Sequence, residues 1–279
     1  MLGSIRAFVL PKFALFKGLS RLVLLCWCGL ALLGPLLPLT PDTIDLTRIL
    51  AAPNATLWFG ADDLGRAVFD RLVAGAQSSF LVSVSVVFVS SILGTLIGAF
   101  SGYVGGKFDL ILVRIMDVFL AFPGILLAIA LAGFLGPGLD NLVIALSIVG
   151  WVGYARLSRA QTFSLRHREH VIAALALGET PWRILRLHLL PLLMAPVLVE
   201  ASFGVAAVVI AEAGLSFLGL GIQPPDASWG SMIRDGTSYM LVAPHLVMIP
   251  GFALFLVVMA VNRVGDQLRD WLDVRAVHR

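Results

Sequence analysis

Charge is what this chain has least of. Only 13% of its 279 residues are Asp, Glu, Lys or Arg, against 59% hydrophobic, and its mean hydropathy is +0.95. Soluble domains carry about a quarter charged residues, so a freely soluble globule is excluded and an integral membrane protein indicated. Cysteine is nearly missing: Cys26 and Cys28 share one apolar run and point to opposite sides of a helix, which argues against a disulfide or a paired metal site. Histidine is scarce as well. His167 and His170 are spaced i,i+3 but lie among Arg166 and Arg168, where solvated side chains are expected rather than a metal site, and His245 reads as interfacial. No Ser–His–Asp, paired-carboxylate or Cys–His arrangement falls within one region, so the chain is not read as an enzyme. A phosphate-binding loop fails too: around Gly105-Gly106-Lys107, Ser101 stands where the first glycine belongs and Phe108 where the Ser or Thr belongs. No cofactor is therefore expected in this chain. The pI of 9.2 has no clustered basic face behind it, so nucleic acid is not an expected partner.

What the chain does have is a series of long uncharged stretches, at 22–39, 72–106, 118–139, 141–155, 189–220 and 239–262, the fifth interrupted by Glu200 and Glu212. A span needs about 20 residues, so six transmembrane helices are the simplest reading, in an all-α integral membrane fold. The fourth stretch is short, which places Asp140 and Arg156 at the two interfaces. The first could pass for a signal peptide. Its apolar run exceeds a typical h-region, and Gly-Pro-Leu-Leu-Pro is a poor cleavage site, so an uncleaved helix is expected.

Basic residues then orient the spans. With a cytoplasmic N-terminus, the inside segments hold Arg6, Lys12, Lys17, Arg21, Lys107, Arg114, Arg156, Arg159, Arg166, Arg168, Arg183, Arg186, Arg263, Arg269, Arg275 and Arg279. Only Arg48, Arg66, Arg71 and Arg234 of the 20 Lys and Arg remain outside. The positive-inside rule favours this arrangement, with both termini cytoplasmic. The organisation expected is a cytoplasmic segment 1–21, a first helix 22–39, an extracytoplasmic segment 40–71, a core 72–262 with a cytoplasmic insert 156–190, and a cytoplasmic tail 263–279. Within 40–71, Pro41, Pro53 and Asn54 are breakers, and 62–73 reads as an amphipathic helix with Leu64, Val68 and Leu72 on one face and an Asp62–Arg66 pair. Residues 102–106 read as a tight turn, and Arg114 with Asp117 as a local pair at the entry to the third span.

The insert is the most informative segment. Residues 169–177 favour a helix that Gly178 ends; Thr180 then caps a second helix with Pro181 at its first position, running to Leu190, and Pro191 marks the turn into the fifth span. Ala173, Ala174 and Gly178 leave a low surface that a partner could approach closely. The rival reading is an amphipathic helix resting on lipid headgroups.

These residues resemble the cytoplasmic coupling loop of permease subunits in binding-protein-dependent ABC importers. Ala173, Ala174, Gly178, Leu190 and Pro191 match that loop in order and spacing. Ile172 stands where the family has its glutamate, and Glu169 lies one helical turn earlier. Other segments are similar to the second permease of the dipeptide, oligopeptide and nickel branch: Phe59-Gly60-Ala61-Asp62-Asp63-Leu64-Gly65-Arg66 with Arg71, Gly75 and Ser79; the LSFLGLG run at 215–221 with Gln223-Pro224-Pro225 and Trp229-Gly230; and Asn262, Gly265-Asp266, Leu268-Arg269-Asp270 and Asp273. Ala61, Ala67, Asp70 and Gln77 depart from the branch pattern. The resemblance implies a type I ABC importer transmembrane fold in the bacterial inner membrane. It also implies a second homologous permease, two cytoplasmic ATPases that bind the ATP and Mg, and an extracytoplasmic solute-binding protein. Glu169, Ala173, Ala174, Gly178, Leu190 and Pro191 would couple to the ATPases. Peptides are the first substrate expected, with nickel or a nickel chelate as the alternative and an ion-coupled secondary transporter as a distant one. Glu200 and Glu212 lie about 18 Å apart along one helix and about 120° apart around it, so they form no dyad. A carboxylate so placed is expected on the translocation path or at the subunit interface, with a partner from the second permease.

Overall fold

A computed structural model describes the backbone of residues 2–272 and the side chains from Gly18 onward; Asp273, Arg275 and Arg279 lie outside the described residues. Among the described residues all regular structure is helical, apart from one isolated bridge between Ala61 and Ala67. Among the described residues, five helices are long and apolar enough to cross a membrane. They are the 18–36 part of α1 (Leu2–Leu33 and the short turn after it), α2 (Val68–Val104), α5 (Leu139–Leu165), the continuous run Pro181–Phe217, and α10 (His245–Leu272). A sixth crossing exists if α3 (Gly106–Leu120) and α4 (Gly124–Leu135), bent by 86°, count as one.

The core of the bundle is α2 packed on α5, and glycine makes it possible. A Cβ at Gly94, Gly98 or Gly102 would lie within 2.1–2.6 Å of the backbone oxygens of Trp151, Ala155 and Arg159. Three glycines at i,i+4 spacing thus let two backbones touch, as small-residue stripes do in membranes. Two apolar clusters fill the bundle toward the start of α2, before the seam. Val82, Val86, Leu142, Leu146 and Leu215 fill one, and Trp27, Val68, Trp229, Leu246 and Val257 another.

Several expected boundaries are corrected. The 62–73 stretch is not one helix. Residues 61–67 form a loop in which Asp62 accepts hydrogen bonds from the Leu64 and Arg66 amides at 2.9 Å, and α2 starts only at Val68. The Asp62–Arg66 ion pair does form, at 2.7 Å, but it closes this loop. The third stretch is not straight either: Pro123, lacking an amide hydrogen, ends the helix one turn past Asp117 and starts α4 in a new direction. Gly105, at φ +70°, is the whole break between α2 and α3. Asp140 lies in the first turn of α5, but Arg156 lies well inside it, because hydropathy reports what crosses lipid and not where a helix stops. The sixth helix is shifted toward the C-terminus, starting after Pro244 and continuing through Arg263, Asp266 and Arg269. Arg114 and Asp117 are both exposed and form no ion pair with each other.

Candidate functional site: a docking insert and the cleft beside it

The insert between α5 and the fifth crossing is built as two short helices, α6 (Glu169–Ala176) and α7 (Pro181–Ile184). Gly178 joins them at φ +83°, a conformation L-residues disfavour. Around it the Glu179 amide bonds Ala174 O at 3.1 Å and the Gly178 amide bonds Leu175 O at 3.0 Å, which is a Schellman cap. Thr180 then caps α7 by accepting from the Arg183 amide. Glu179 reaches forward to His188 at 3.0 Å and Arg183 at 3.6 Å, bracing the joint.

The second helix does not turn at Pro191. A π-helical turn at Leu185–Leu189 carries the chain into α8 (Leu190–Phe217), with Pro191 in its first turn. The wider turn absorbs the hydrogen bond that proline cannot donate. From Pro181 onward the insert is therefore a direct continuation of a membrane helix.

Its two faces differ from expectation. Val171 and Ala174 point inward and pack with Ile184, Leu185, Leu189 and Leu193, so Ala174 is no part of an outer surface. Glu169, Ala173 and Gly178 are exposed, as is Pro191, and Leu190 is half-buried. The outer face is carried by Ile172, Leu175, Leu177 and Trp182, with Leu177 86% and Trp182 61% exposed. Among the described residues, its two chain neighbours aside, nothing stands within 4 Å of a Cβ built on Gly178. An exposed apolar knob of this kind on a polar end of a protein marks a contact surface. The alternation of 171 and 174 inward with 172 and 175 outward was the available signal.

Beside the insert, a cleft of about 990 Å³ opens between α5, α8 and α10. Glu200, Gln161, Arg168, His170, Arg269 and Phe203 are among its lining residues. Glu200 is exposed there, and a Cβ on Gly153 of α5 would lie 3.8 Å from its Oε1. A charged acid in the middle of a span costs about 2.5–3.5 kcal/mol on insertion scales, a penalty that an open, wettable cleft relieves.

Glu212 is placed otherwise. It has 0% exposure, and its partners come from its own chain. Ser79 of α2 donates to Oε2 at 2.8 Å and Ser216 donates to Oε1 at 2.9 Å. The expectation of a path-facing or subunit-interface carboxylate is thus corrected for Glu212: two hydroxyls on this chain satisfy it, and it ties α8 to α2. Further ties hold the same region. The indole of Trp229, the first residue of α9 (Trp229–Thr237), donates to Leu72 O at 3.0 Å, and the Trp27 indole to Ala76 O at 3.2 Å. The LSFLGLG run closes α8 with a second Schellman cap, Leu220 N to Leu215 O at 2.9 Å and Gly219 N to Ser216 O at 3.1 Å.

Two charged clusters brace the ends of the bundle, and sequence reasoning missed both. At the insert end, Arg159 of α5 grips Asp109 of α3 through two hydrogen bonds at 2.5 and 2.6 Å, Ser101 donates to the same carboxylate at 2.7 Å, and Arg166 caps the Gly102 and Tyr103 carbonyls. At the opposite end, Arg71 is 3% exposed and reaches Asp62 at 3.6 Å, Asp42 at 3.7 Å and the Pro225 carbonyl at 3.4 Å. Burial, then the Asp62 carboxylate, pushes the Asp63 carboxyl up from its ordinary value, whereas bonds from Thr47 hold that of Asp45 down. Among the described residues no group of three or more His, Cys, Asp or Glu is arranged to hold a metal ion.

Comparison with known proteins is consistent with this geometry. Residues 94–278 match the family model of the binding-protein-dependent transport system inner membrane component. The dipeptide transport system permease protein DppC of Alkalihalophilus pseudofirmus is 44% identical over 224 residues, 80% of this chain and 74% of that protein. The glutathione transport system permease protein GsiD of Pectobacterium atrosepticum is 41% identical over 229 residues, 82% of this chain and 76% of that protein. Among solved structures, the MetNI methionine ABC transporter in inward-facing conformations matches with a TM-score of 0.58 at 20% identity, covering 72% of this chain and 95% of that one. At that identity the likeness concerns the fold, which is that of a type I ABC importer transmembrane domain.

Proposed function

Because this chain belongs to the family of binding-protein-dependent transport system inner membrane components, we propose that it forms one half of the path of an ATP-driven importer of short peptides. The peptide assignment is supported by the dipeptide and glutathione permeases to which the chain is similar over most of its length. A second, homologous permease supplies the other half, an extracytoplasmic protein delivers the substrate, and two ATPase subunits drive the cycle from the cytoplasm. The insert end of the bundle is the cytoplasmic end, by the distribution of basic residues.

The observation that carries the reading is the insert itself. Four apolar side chains, Ile172, Leu175, Leu177 and Trp182, are displayed outward on a two-helix insert whose other face packs against α8. An ATPase that closes on ATP pushes this knob, and the unbroken run Pro181–Phe217 delivers the displacement into the membrane. The two helix bundles then tilt so that the path faces outward, and hydrolysis and release return it to face the cytoplasm. ATP and Mg are held by the ATPases in this scheme; this chain supplies the docking surface and half of the barrier.

Leu177→Asp and Trp182→Ala test it in the complete transporter. Both remove apolar area from an exposed site, so the chain should still insert and pair with its fellow permease. The ATPases should co-purify poorly and transport should fall. Full ATPase recovery and normal peptide uptake with both variants would refute the docking role.

A further inference from the structure

Of the two acids in α8, Glu200 has its carboxylate free: among the described residues, no hydrogen bond or ion pair ties it to this chain. It lies ten residues past Leu190, about 15 Å along the helix from the insert end. The same cleft is lined by Pro196, Val199 and Phe203 of α8 and by Gln161, Arg168, His170 and Arg269. Arg168 and Arg269 are exposed and, among the described residues, have no carboxylate partner. The cleft therefore presents both signs of charge, one acid on α8 and two guanidinium groups, one just before α6 and one on α10. Its volume, about 990 Å³, is ample for a small molecule.

That arrangement has a chemical complement. A simple anion would meet the arginines and be repelled by Glu200; a simple cation would face the reverse. A short peptide carries an ammonium at one end and a carboxylate at the other, separated by several ångströms, and suits both. We propose that Glu200 is a substrate-contacting residue of the translocation path. Its carboxylate accepts hydrogen bonds from the α-ammonium group of a peptide, while Arg168 and Arg269 face the peptide's carboxylate end. This assignment rests on the peptide-import reading above and adds to it the group that is recognised.

The test is ATP-driven import of labelled dialanine into vesicles holding the complete transporter, with N-acetyl-dialanine as the probe lacking the ammonium charge. Glu200→Gln should lower dialanine import about tenfold, the worth of one hydrogen bond to a charged group. Assembly and basal ATP hydrolysis should stay at the parental level, and Glu200→Asp should recover most of the loss. The parental preference for dialanine over the acetylated peptide should collapse toward unity in Glu200→Gln. Parental dialanine import by Glu200→Gln, or an equal loss for both peptides, overturns the proposal. If the parent itself imports neither peptide, the import reading fails first and this inference with it.

Discussion

Glu212 and Glu200 belong to the same helix, 12 residues apart, and meet opposite surroundings. Glu212 lies where α8 is sealed against α2, bonded to Ser79 and Ser216 with nothing of it exposed. Glu200 borders the cleft between α5, α8 and α10, exposed and, among the described residues, unbonded. An apolar helix can carry a carboxylate either by satisfying it within the fold or by keeping it wet. The first solution makes a structural tie and the second leaves a group available to something else. The half of α8 near LSFLGLG is thus a fixed joint, and the half near the insert is a working surface.

The contrast is sharpest in stability. Glu212→Leu leaves two buried hydroxyls without an acceptor and should destabilise the detergent-solubilised chain by about 2–4 kcal/mol. Glu212→Gln should lose about 1 kcal/mol, since its amide still accepts one hydroxyl and can donate to the other. Glu200→Leu should stay within about 0.5 kcal/mol of the parent. Thermal unfolding followed by circular dichroism separates the three; equal losses for both Leu variants would break the comparison.

Arg159→Ala tests the joint at the insert end. It removes a two-pronged grip on Asp109 at partly exposed positions, and about 2 kcal/mol should follow. Hydrogen exchange should rise at the start of α3 before it rises in α8. Gly178→Val acts more locally: forcing a β-branched residue to φ +83° should cost about 1–2 kcal/mol and open the α6–α7 joint to protease while the membrane core stays intact. Cleavage in the core instead would place the effect elsewhere.

The smallest effect expected is at Asp63. Its carboxyl is raised from 3.8, so folding favours the protonated form: stability is least above the raised value and recovers as pH falls through it. Asp63→Asn should therefore give a slight gain at pH 7 that vanishes below the ordinary carboxylate value. A gain that persists in acid would contradict the burial argument.

How far the sequence could foresee this follows from where each signal is stored. Apolar runs and a glycine–threonine–proline sequence are local, so the crossings, the insert and the capping roles of Gly178 and Thr180 could be read directly. The bend at Pro123 was visible as a residue but lay inside an otherwise unbroken hydrophobic run, and hydropathy outweighed it. Ser79 and Glu212 are 133 residues apart, and Asp109 and Arg159 are 50 apart. No periodicity links such pairs; only the packing of α2 on α8 and of α3 on α5 brings them together. The inward turn of Ala174 was missed because a small residue looks equally apt on either face of a helix.

The glycine seam between α2 and α5 has a mechanical corollary. Side chains in a typical helix contact can switch rotamers and take up a displacement of an ångström without passing it on. Along Gly94, Gly98 and Gly102 there are none to switch, because backbone meets backbone. Whatever moves α5, which a three-residue turn joins to α6, must carry α2 with it with almost no play. Two membrane helices are in effect a single stiff lever, and the compliance that any motion of this protein needs has to lie at its other contacts.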